Sequence, residues 1–269
     1  MCRRLGMTRQ NYYARRRRRQ RREVDGEVVA QLVIKERELQ PEIGTRKLHG
    51  MLCQELKAAG VKLGRDRMFE ELRARQLLVK RKRAAGAHTT NSQHEMPVFP
   101  NLIKDRPAAK PNEIWVGDLT YLRTREGFLY LALLTDKHSR KIVGYHCADT
   151  LEAVGCCQAL EMALRSLPAG SQPIHHTDRG SQYCSHEYVR RLRERGLPIS
   201  MTERNHAAEN ALAERVNGIL KTEYKLGGEC ATKEQARRLA DQAVLLYNTR
   251  RPHTALKYRT PDQVHSLAA

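Results

Sequence analysis

The sequence predicts an α/β protein: a mixed sheet with helices on its faces, preceded by a small all-α domain of helix–turn–helix character. Two patterns carry this expectation. Up to about residue 80 the apolar residues recur at helical spacing, and from Glu113 onward they fall into short strand-like runs broken by turns. The intervening stretch has no periodicity and contains Pro97, Pro100 and Pro107, so it reads as a linker. Four regions follow: a basic arm and helix (1–40), a helix–turn–helix-like domain (41–80), a linker (81–110) and an α/β core (111–269).

The arm is dominated by arginine, with no acid before Glu23. Its start, Leu5 to Tyr13, reads either as a short helical remnant with Thr8 as cap or as a disordered basic arm; either form would meet phosphates without reading sequence. Val28, Val29, Leu32 and Val33 predict an amphipathic helix over Val28–Leu39. Thr45 is expected to cap a helix through Leu48, Leu52 and Leu56. After the turn at Gly60–Gly64, a second helix over Arg65–Leu77 is expected to bury Met68, Phe69 and Leu72 and to expose Arg65, Arg67, Arg73 and Arg75. Arg46, Lys47, Arg65, Arg67 and Arg73 are therefore candidate DNA contacts, as are Lys80, Arg81, Lys82 and Arg83 at the linker's start.

In the core, strands are expected at Trp115–Leu122, Phe128–Thr135 and Lys141–Ala148. A helix over Leu151–Leu167 crosses to a fourth strand at Pro173–Thr177. A meander, a crossover helix and a returning strand make a mixed sheet. Helices are expected near His186–Arg195, Asn210–Leu226 and Lys233–Thr249, with a short strand at Pro198–Met201.

Composition narrows the function. Forty-nine Lys and Arg against 30 Asp and Glu leave a formal charge of +19, which favours a polyanionic partner such as nucleic acid. The seven cysteines form no Cys-x-x-Cys pair, which fits free thiols in a reducing cytoplasm. No apolar run is long enough to serve as a signal or to span a bilayer. Structural zinc is rejected, because His49 with Cys53, and His176 with Cys184 and His186, lack paired ligand spacing.

Three carboxylates stand out. Asp118 lies inside the apolar strand Trp115–Leu122, where a charge is costly unless paired or metal-bound. Asp178 ends the run Pro173–Thr177, and Gly180 then turns the chain; ligand sites in open α/β sheets lie at such strand ends. Glu214 shares a helix face with Asn217 and Lys221 at i, i+3 and i+7. The interval from Asp178 to Glu214 is 214 − 178 − 1 = 35 residues. Asp136, Glu209 and Glu223 are nearby decoys, Glu209 above all, since it lies one helical turn before Glu214.

The Asp, Asp, 35-residue gap and Glu resemble the signature of the transposase and retroviral integrase superfamily. More narrowly, the chain resembles the OrfB-type transposases of the insertion-sequence "three" family. The resemblance extends to the opening Leu5-Gly6-Met7-Thr8 with Tyr12-Tyr13, to the basic seventh position after the glutamate (Lys221), and to the ending Tyr247-Asn248-Thr249-Arg250-Arg251-Pro252-His253-Thr254-Ala255-Leu256 with Thr260-Pro261.

What the resemblance implies is specific. The fold would be ribonuclease-H-like, an integrase catalytic core. Asp118, Asp178 and Glu214 would be the catalytic and metal-binding acids, holding two Mg²⁺ ions (with Mn²⁺ as substitute). The reaction would be DNA cleavage at element ends and strand transfer by a 3′-OH, with no covalent intermediate. Lys221 and Arg251 would join the DNA contacts, although the ending containing Arg251 has a purely structural alternative, closing the fold by packing Tyr247, Leu256 and Tyr258. Partners would be double-stranded DNA, further copies of this chain, and an upstream helix–turn–helix and leucine-zipper OrfA protein or its frameshift fusion. The location would be the bacterial cytoplasm. The rival readings are a catalytically silent DNA-binding regulator, a nuclease that only hydrolyses, and a generic basic nucleic-acid-binding module.

Overall fold

A computed structural model of the protein describes residues 6–80, 96–203 and 209–267. It divides into two compact units, Met1–Arg81 and Lys82–Ala269.

The first unit is three helices. Helix α1 runs unbroken over Arg9–Leu39, so the expected arm and the Val28–Leu39 helix are one element. Thr8 caps it, its side chain accepting from Asn11 N. No proline interrupts the run, and at Gly26 the tips of the Glu71 and Arg75 side chains reach so close to the helix that a Cβ would make them shift. Helix α2 spans Thr45–Ala58 and α3 spans Arg65–Ala74. Thr45 is the first residue of α2 and buried, with Gly44 in the cap position expected of it. Helix α3 stops short of Leu77 because Gln76 turns left-handed at φ 57° and Leu77 N bonds back to Leu72 O. Val29, Val33, Ile43, Leu48, Leu52, Met68 and Leu72 form the core of the unit. Phe69, expected inside, is exposed. The i, i+4 partners of the core positions are Met68 and Leu72, and Phe69 lies one residue off their line.

The second unit is built on a sheet of order β3-β2-β1-β4-β5. Strands β1 (Ile114–Thr124), β2 (Gly127–Asp136) and β3 (Ile142–Ala148) form an antiparallel meander. Helix α4 (Ala153–Arg165) crosses over, and β4 (Ile174–Thr177) returns parallel to β1. Short helix α5 (Ser181–Cys184) and α6 (His186–Glu194) lead to β5 (Ile199–Met201), parallel to β4. Helix α7 covers Ala211–Glu223 and α8 covers Lys233–Thr249.

Three further elements had no sequence expectation. The two-residue strand β6 (Glu229–Cys230) pairs with the far end of β1. A 3-10 turn lies at Thr254–Leu256, and helix α9 spans Pro261–Ser266, where Thr260 and Gln263 form a capping box.

Strand alternation assigns the two faces. Trp115, Ala132 and Leu134 pack with α4 and α6 on one side, and Leu122, Leu129, Leu131 and Leu133 with α7 and α8 on the other. At Gly144 the β3 backbone lies so close to α4 that a Cβ would sit 2.2 Å from Ala159 O. Among the described residues, no helix is long and apolar enough to cross a membrane.

The β4 histidines are packing residues. Tyr188 Oη lies 2.8 Å from His175 Nε2, and Ser200 Oγ lies 2.8 Å from His176 Nδ1. Burial pushes His175 down to about 3 and His176 to about 4. A histidine held neutral in the fold takes up its proton only on unfolding, so stability falls as pH drops below the ordinary value of 6.5 toward 3. We therefore expect His175 to cost roughly 2 kcal/mol of stability between pH 7 and pH 5. The double variant His175→Phe/Tyr188→Phe, which removes both hydrogen-bonding partners, should lose correspondingly less than the parent when urea unfolding at the two pH values is compared.

Candidate active site

The site forms where two parallel strands part. β4 pairs with β1 only from Ile114 to Val116, and β6 does not begin until Arg123. Between them one edge of β1 has no strand beside it, and Asp118 sits there. Asp178 is the first residue beyond β4, on the same side. The side chain of Asn210, just before α7, donates to Gly117 O at 3.0 Å and closes part of the open edge.

Each acid is held differently. Asp118 is half-buried. Its Oδ1 accepts from Leu119 N at 2.9 Å and its Oδ2 from Asn217 Nδ2 at 2.7 Å. Burial, then the charge of Asp178, and to a lesser degree that of Glu214, push the Asp118 carboxyl up to about 7, against the hydrogen bond from Asn217. Asp178 Oδ1 accepts from Gly180 N at 3.0 Å, an Asx-type turn that directs the loop away. Glu214 stands exposed in the first turn of α7, where the helix N-terminus favours an anion.

The predicted acids are thus brought into one electrostatic neighbourhood, and the decoys are not. Glu209 accepts from Glu203 N at 2.5 Å and Asn101 Nδ2 at 3.0 Å, and its charge acts on His176 rather than on Asp118. Asp136 is buried and accepts from Asn112 N, Ser139 N and Ser139 Oγ, all at 2.7 Å. Glu223 is engaged by Arg251.

Asn217 and Asn210 are the site residues that reading by charge missed. Asn217 had a signal, its i+3 position from Glu214; Asn210 had none.

Chemically, the donor set is three carboxylates, hard oxygen ligands of the kind Mg²⁺ takes. Burial first, and the neighbouring Asp178 second, raise the proton affinity of Asp118, although the Lys221 charge also acts on it; a divalent cation would stabilise its ionised form. Among the described residues no three His, Cys, Asp or Glu side chains stand close enough together to hold an ion as they are placed. Asp118 and Asp178, but not Glu214, rim a cavity of about 340 Å³ whose other walls include Leu119, Tyr121, Phe128 and Tyr130.

The predicted basic contacts scatter. Lys221 extends over the Tyr121 ring with Nζ 4.6 Å from its centroid. In the first unit Arg46, Arg65, Arg73 and Lys80 are exposed, whereas Lys47 and Arg67 are half-buried. Arg75, expected to be exposed, is also half-buried and pairs with Glu27 at 3.1 Å. Arg81, Lys82 and Arg83 lie outside the described residues. Arg251 is corrected outright: it is buried, not presented to DNA. Its guanidinium makes two 2.8 Å bonds to the Glu223 carboxylate, donates to His253 Nε2 at 2.9 Å and lies 5.7 Å from the Tyr247 ring centroid. The Tyr247–Leu256 ending therefore closes the fold, although Tyr258 remains exposed.

Comparison with known proteins agrees with this geometry. Two models of an integrase core domain match, one over residues 108–207 and one over residues 195–261. The chain is 34% identical over 277 residues to the insertion element IS600 uncharacterized 31 kDa protein of Shigella sonnei, covering 100% of both. It is 35% identical over 214 residues to the transposase InsF for insertion sequence IS3A of Escherichia coli (strain K12), covering 79% of this chain and 74% of that one. Among solved structures, a chain of a simian T-cell lymphotropic virus intasome, determined in complex with PP2A regulatory subunit B56 gamma, matches with a TM-score of 0.51 at 21% identity. That match covers 82% of this chain and 74% of the other, and it bears on the fold alone.

The Glu223–Arg251 pair anchors the end of the helix that carries Glu214. Removing one partner of a buried pair strands the other charge and costs about 3–5 kcal/mol, whereas replacing both with apolar groups is nearly neutral. Glu223→Ala should accordingly lower the unfolding free energy by that amount, and Glu223→Leu/Arg251→Met should recover most of the loss. Urea titrations of the two variants beside the parent provide the comparison.

Proposed function

From the premise that this chain belongs to the transposases of the IS3 insertion-sequence family, with an integrase core of ribonuclease-H-like fold, we propose that it cuts and rejoins DNA at the ends of its element with Asp118, Asp178 and Glu214 as the catalytic acids. One observation carries the assignment. Asn217 lies on the helix face that bears Glu214 and bonds to Asp118, and the Glu214 charge acts on Asp118 whereas Glu209 is engaged by Asn101, which supports Glu214 over Glu209 as the third acid.

The three carboxylates would hold two Mg²⁺ ions, with Mn²⁺ as substitute. When bound, such ions activate the attacking oxygen and stabilise the leaving one. The chain's own residues do the rest. Asn217 and Leu119 N fix both oxygens of Asp118, and Gly180 N fixes one oxygen of Asp178. Lys221, further along the same face of α7, meets a phosphate of the bound strand. In the first step water attacks the scissile phosphorus, the bond to the 3′ oxygen breaks, and the proton lost by water is balanced by the one gained at the new 3′-OH. In the second step that 3′-OH attacks another phosphodiester and releases its 3′ oxygen as a hydroxyl. No bond to the protein forms in either step.

DNA is the partner that the charge calls for. Arg46 and Lys47 on α2, and Arg65, Arg67 and Arg73 on α3, are proposed phosphate contacts, as are Lys80 and its basic neighbours at the linker. To these we add α1. It carries eight arginines between Arg9 and Arg22 with no acid among them, and Arg15 to Arg19 are consecutive and exposed. Five consecutive positions at about 100° spacing cover every side of a helix. That distribution suits a helix lying between the two phosphate walls of a major groove, which is wide enough to admit one. Holding two element ends together requires more than one copy, so a homo-oligomer on DNA is part of the proposal, with an OrfA-type protein as an additional partner.

Two experiments test this reading. In a cleavage and joining assay on labelled element-end DNA with Mg²⁺, Asp178→Asn and Glu214→Gln should bind DNA but lose cleavage by at least about a hundredfold, the scale of removing a charge-stabilising catalytic group. Joined product from the parent distinguishes a transposase from a nuclease that only hydrolyses, and undiminished cleavage by both variants would remove the acids from the mechanism. For α1, replacing Arg15 to Arg19 together with Gln should flatten the dependence of log affinity on log salt by about three to five, since each phosphate neutralised contributes about 0.9 to the slope. An unchanged slope would place α1 away from the DNA.

A further inference from the structure

The cavity beside the acids has a floor that the metal chemistry does not use. Tyr121 and Tyr130 are register partners on β1 and β2, as are Arg123 and Phe128, so Tyr121, Tyr130 and Phe128 project from the sheet face that Leu119 shares. Further back that face is covered by α4, but the helix begins only at Ala153 and the hairpin runs on past it. Phe128 is left 51% exposed and Leu151, just before α4, 42% exposed. The Tyr121 and Phe128 rings meet edge to face, with centroids 5.5 Å apart and planes at 82°, and Lys221 reaches over Tyr121 from α7.

An uncovered patch of aromatic carbon at the rim of an acidic site marks a binding surface. Its ligand must combine a flat apolar face with a phosphate within reach of Asp118, Asp178 and Lys221. A paired base inside a duplex hides both of its faces by stacking, so only a base out of the helix presents one. We propose that the Tyr121, Phe128 and Tyr130 floor is a subsite for one unpaired DNA base adjoining the phosphate that the acids attack. Continuity with the acids identifies the occupant, since Asp118 and Asp178 wall the same cavity as the aromatic floor and a nucleotide whose phosphate lies at those acids has that floor beside it. Phe128 is then a specificity-determining residue, favouring ends that are frayed or already unpaired. Stacking on an aromatic ring is tolerant of which base it is, so the subsite reads strand separation rather than sequence. The inference rests on the transposase reading of the same site.

The test measures binding in EDTA, without divalent metal, so it does not depend on cleavage. The probes are a blunt duplex and the same duplex with two unpaired nucleotides at its 3′ end, one of them 2-aminopurine. The full chain should bind the unpaired end roughly tenfold more tightly than the blunt one, the scale of one base–aromatic stack, and should quench the 2-aminopurine. Phe128→Ala should lose both the preference and the quenching, and Phe128→Tyr should retain them. Because Phe128 is half-exposed, its circular dichroism should match the parent's. Equal affinity for the two ends, quenching that survives in Phe128→Ala, equally tight binding of free deoxynucleoside monophosphate, or a change of oligomeric state in Phe128→Ala as the sole effect would each overturn the subsite. Absence of the preference in the parent protein, with cleavage still lost in Asp178→Asn, discards the subsite and leaves the catalytic reading standing; its presence in the parent, with cleavage insensitive to Asp178→Asn, does the opposite.

Discussion

The site depends on the parting of β1 and β4. Two parallel strands share hydrogen bonds for three register positions and then separate, and the carboxylates occupy the first places beyond the separation. Backbone groups released from the ladder need partners, and the side chains that supply them come from the segment bearing the third acid. Asn210 takes Gly117 O and Asn217 takes the Asp118 carboxylate. The unpaired strand edge thus docks α7 and, in doing so, assembles the acidic cluster.

Helix α7 is fixed along its length by groups of different kinds. Asn210 and Asn217 tie its beginning to β1, Val216, Ile219 and Leu220 pack its inner face into the core, and Glu223 ties its end to Arg251. The last of these is a buried charge pair, which adds little net stability but tolerates no loss of a single partner. It accounts for an arginine in the closing segment without any contact to DNA. The acids themselves are left electrostatically unfavourable, with Asp118 pushed to about 7 by burial and by Asp178.

Charge is divided by role. In the core, Lys221 and Arg251 are engaged by an aromatic ring and by a carboxylate respectively. In the first unit, the arginines of α1 from Arg15 to Arg19 are exposed. A dense exposed run of one sign on a helix is self-repelling and finds its compensation in a polyanion. On the proposed reading, chemistry and electrostatic capture fall on different units of the chain.

Much of this was legible in the amino-acid order, because periodicity and local turn chemistry are short-range properties. Strand runs after Glu113, the crossover helix and helix Lys233–Thr249 all follow from residues within a few positions of one another, whereas Asp118, Asp178 and Glu214 stood out through their spacing and the family resemblance. Burial and partner choice are long-range, and there the reading failed. Arg251 looks like any basic residue until Glu223, 28 positions earlier, is folded against it. Phe69 and Arg75 changed sides because the faces of α3 are set by packing against α1 and α2. Glu209 and Glu214 could not be ranked from sequence, since helix phase relative to a distant strand is absent from local pattern. The sequence alone determined which elements form and which acids are available. The tertiary structure decided which of those acids act on one another, because the end of β4 and the phase of α7 set Asp178 and Glu214 in the electrostatic neighbourhood of Asp118.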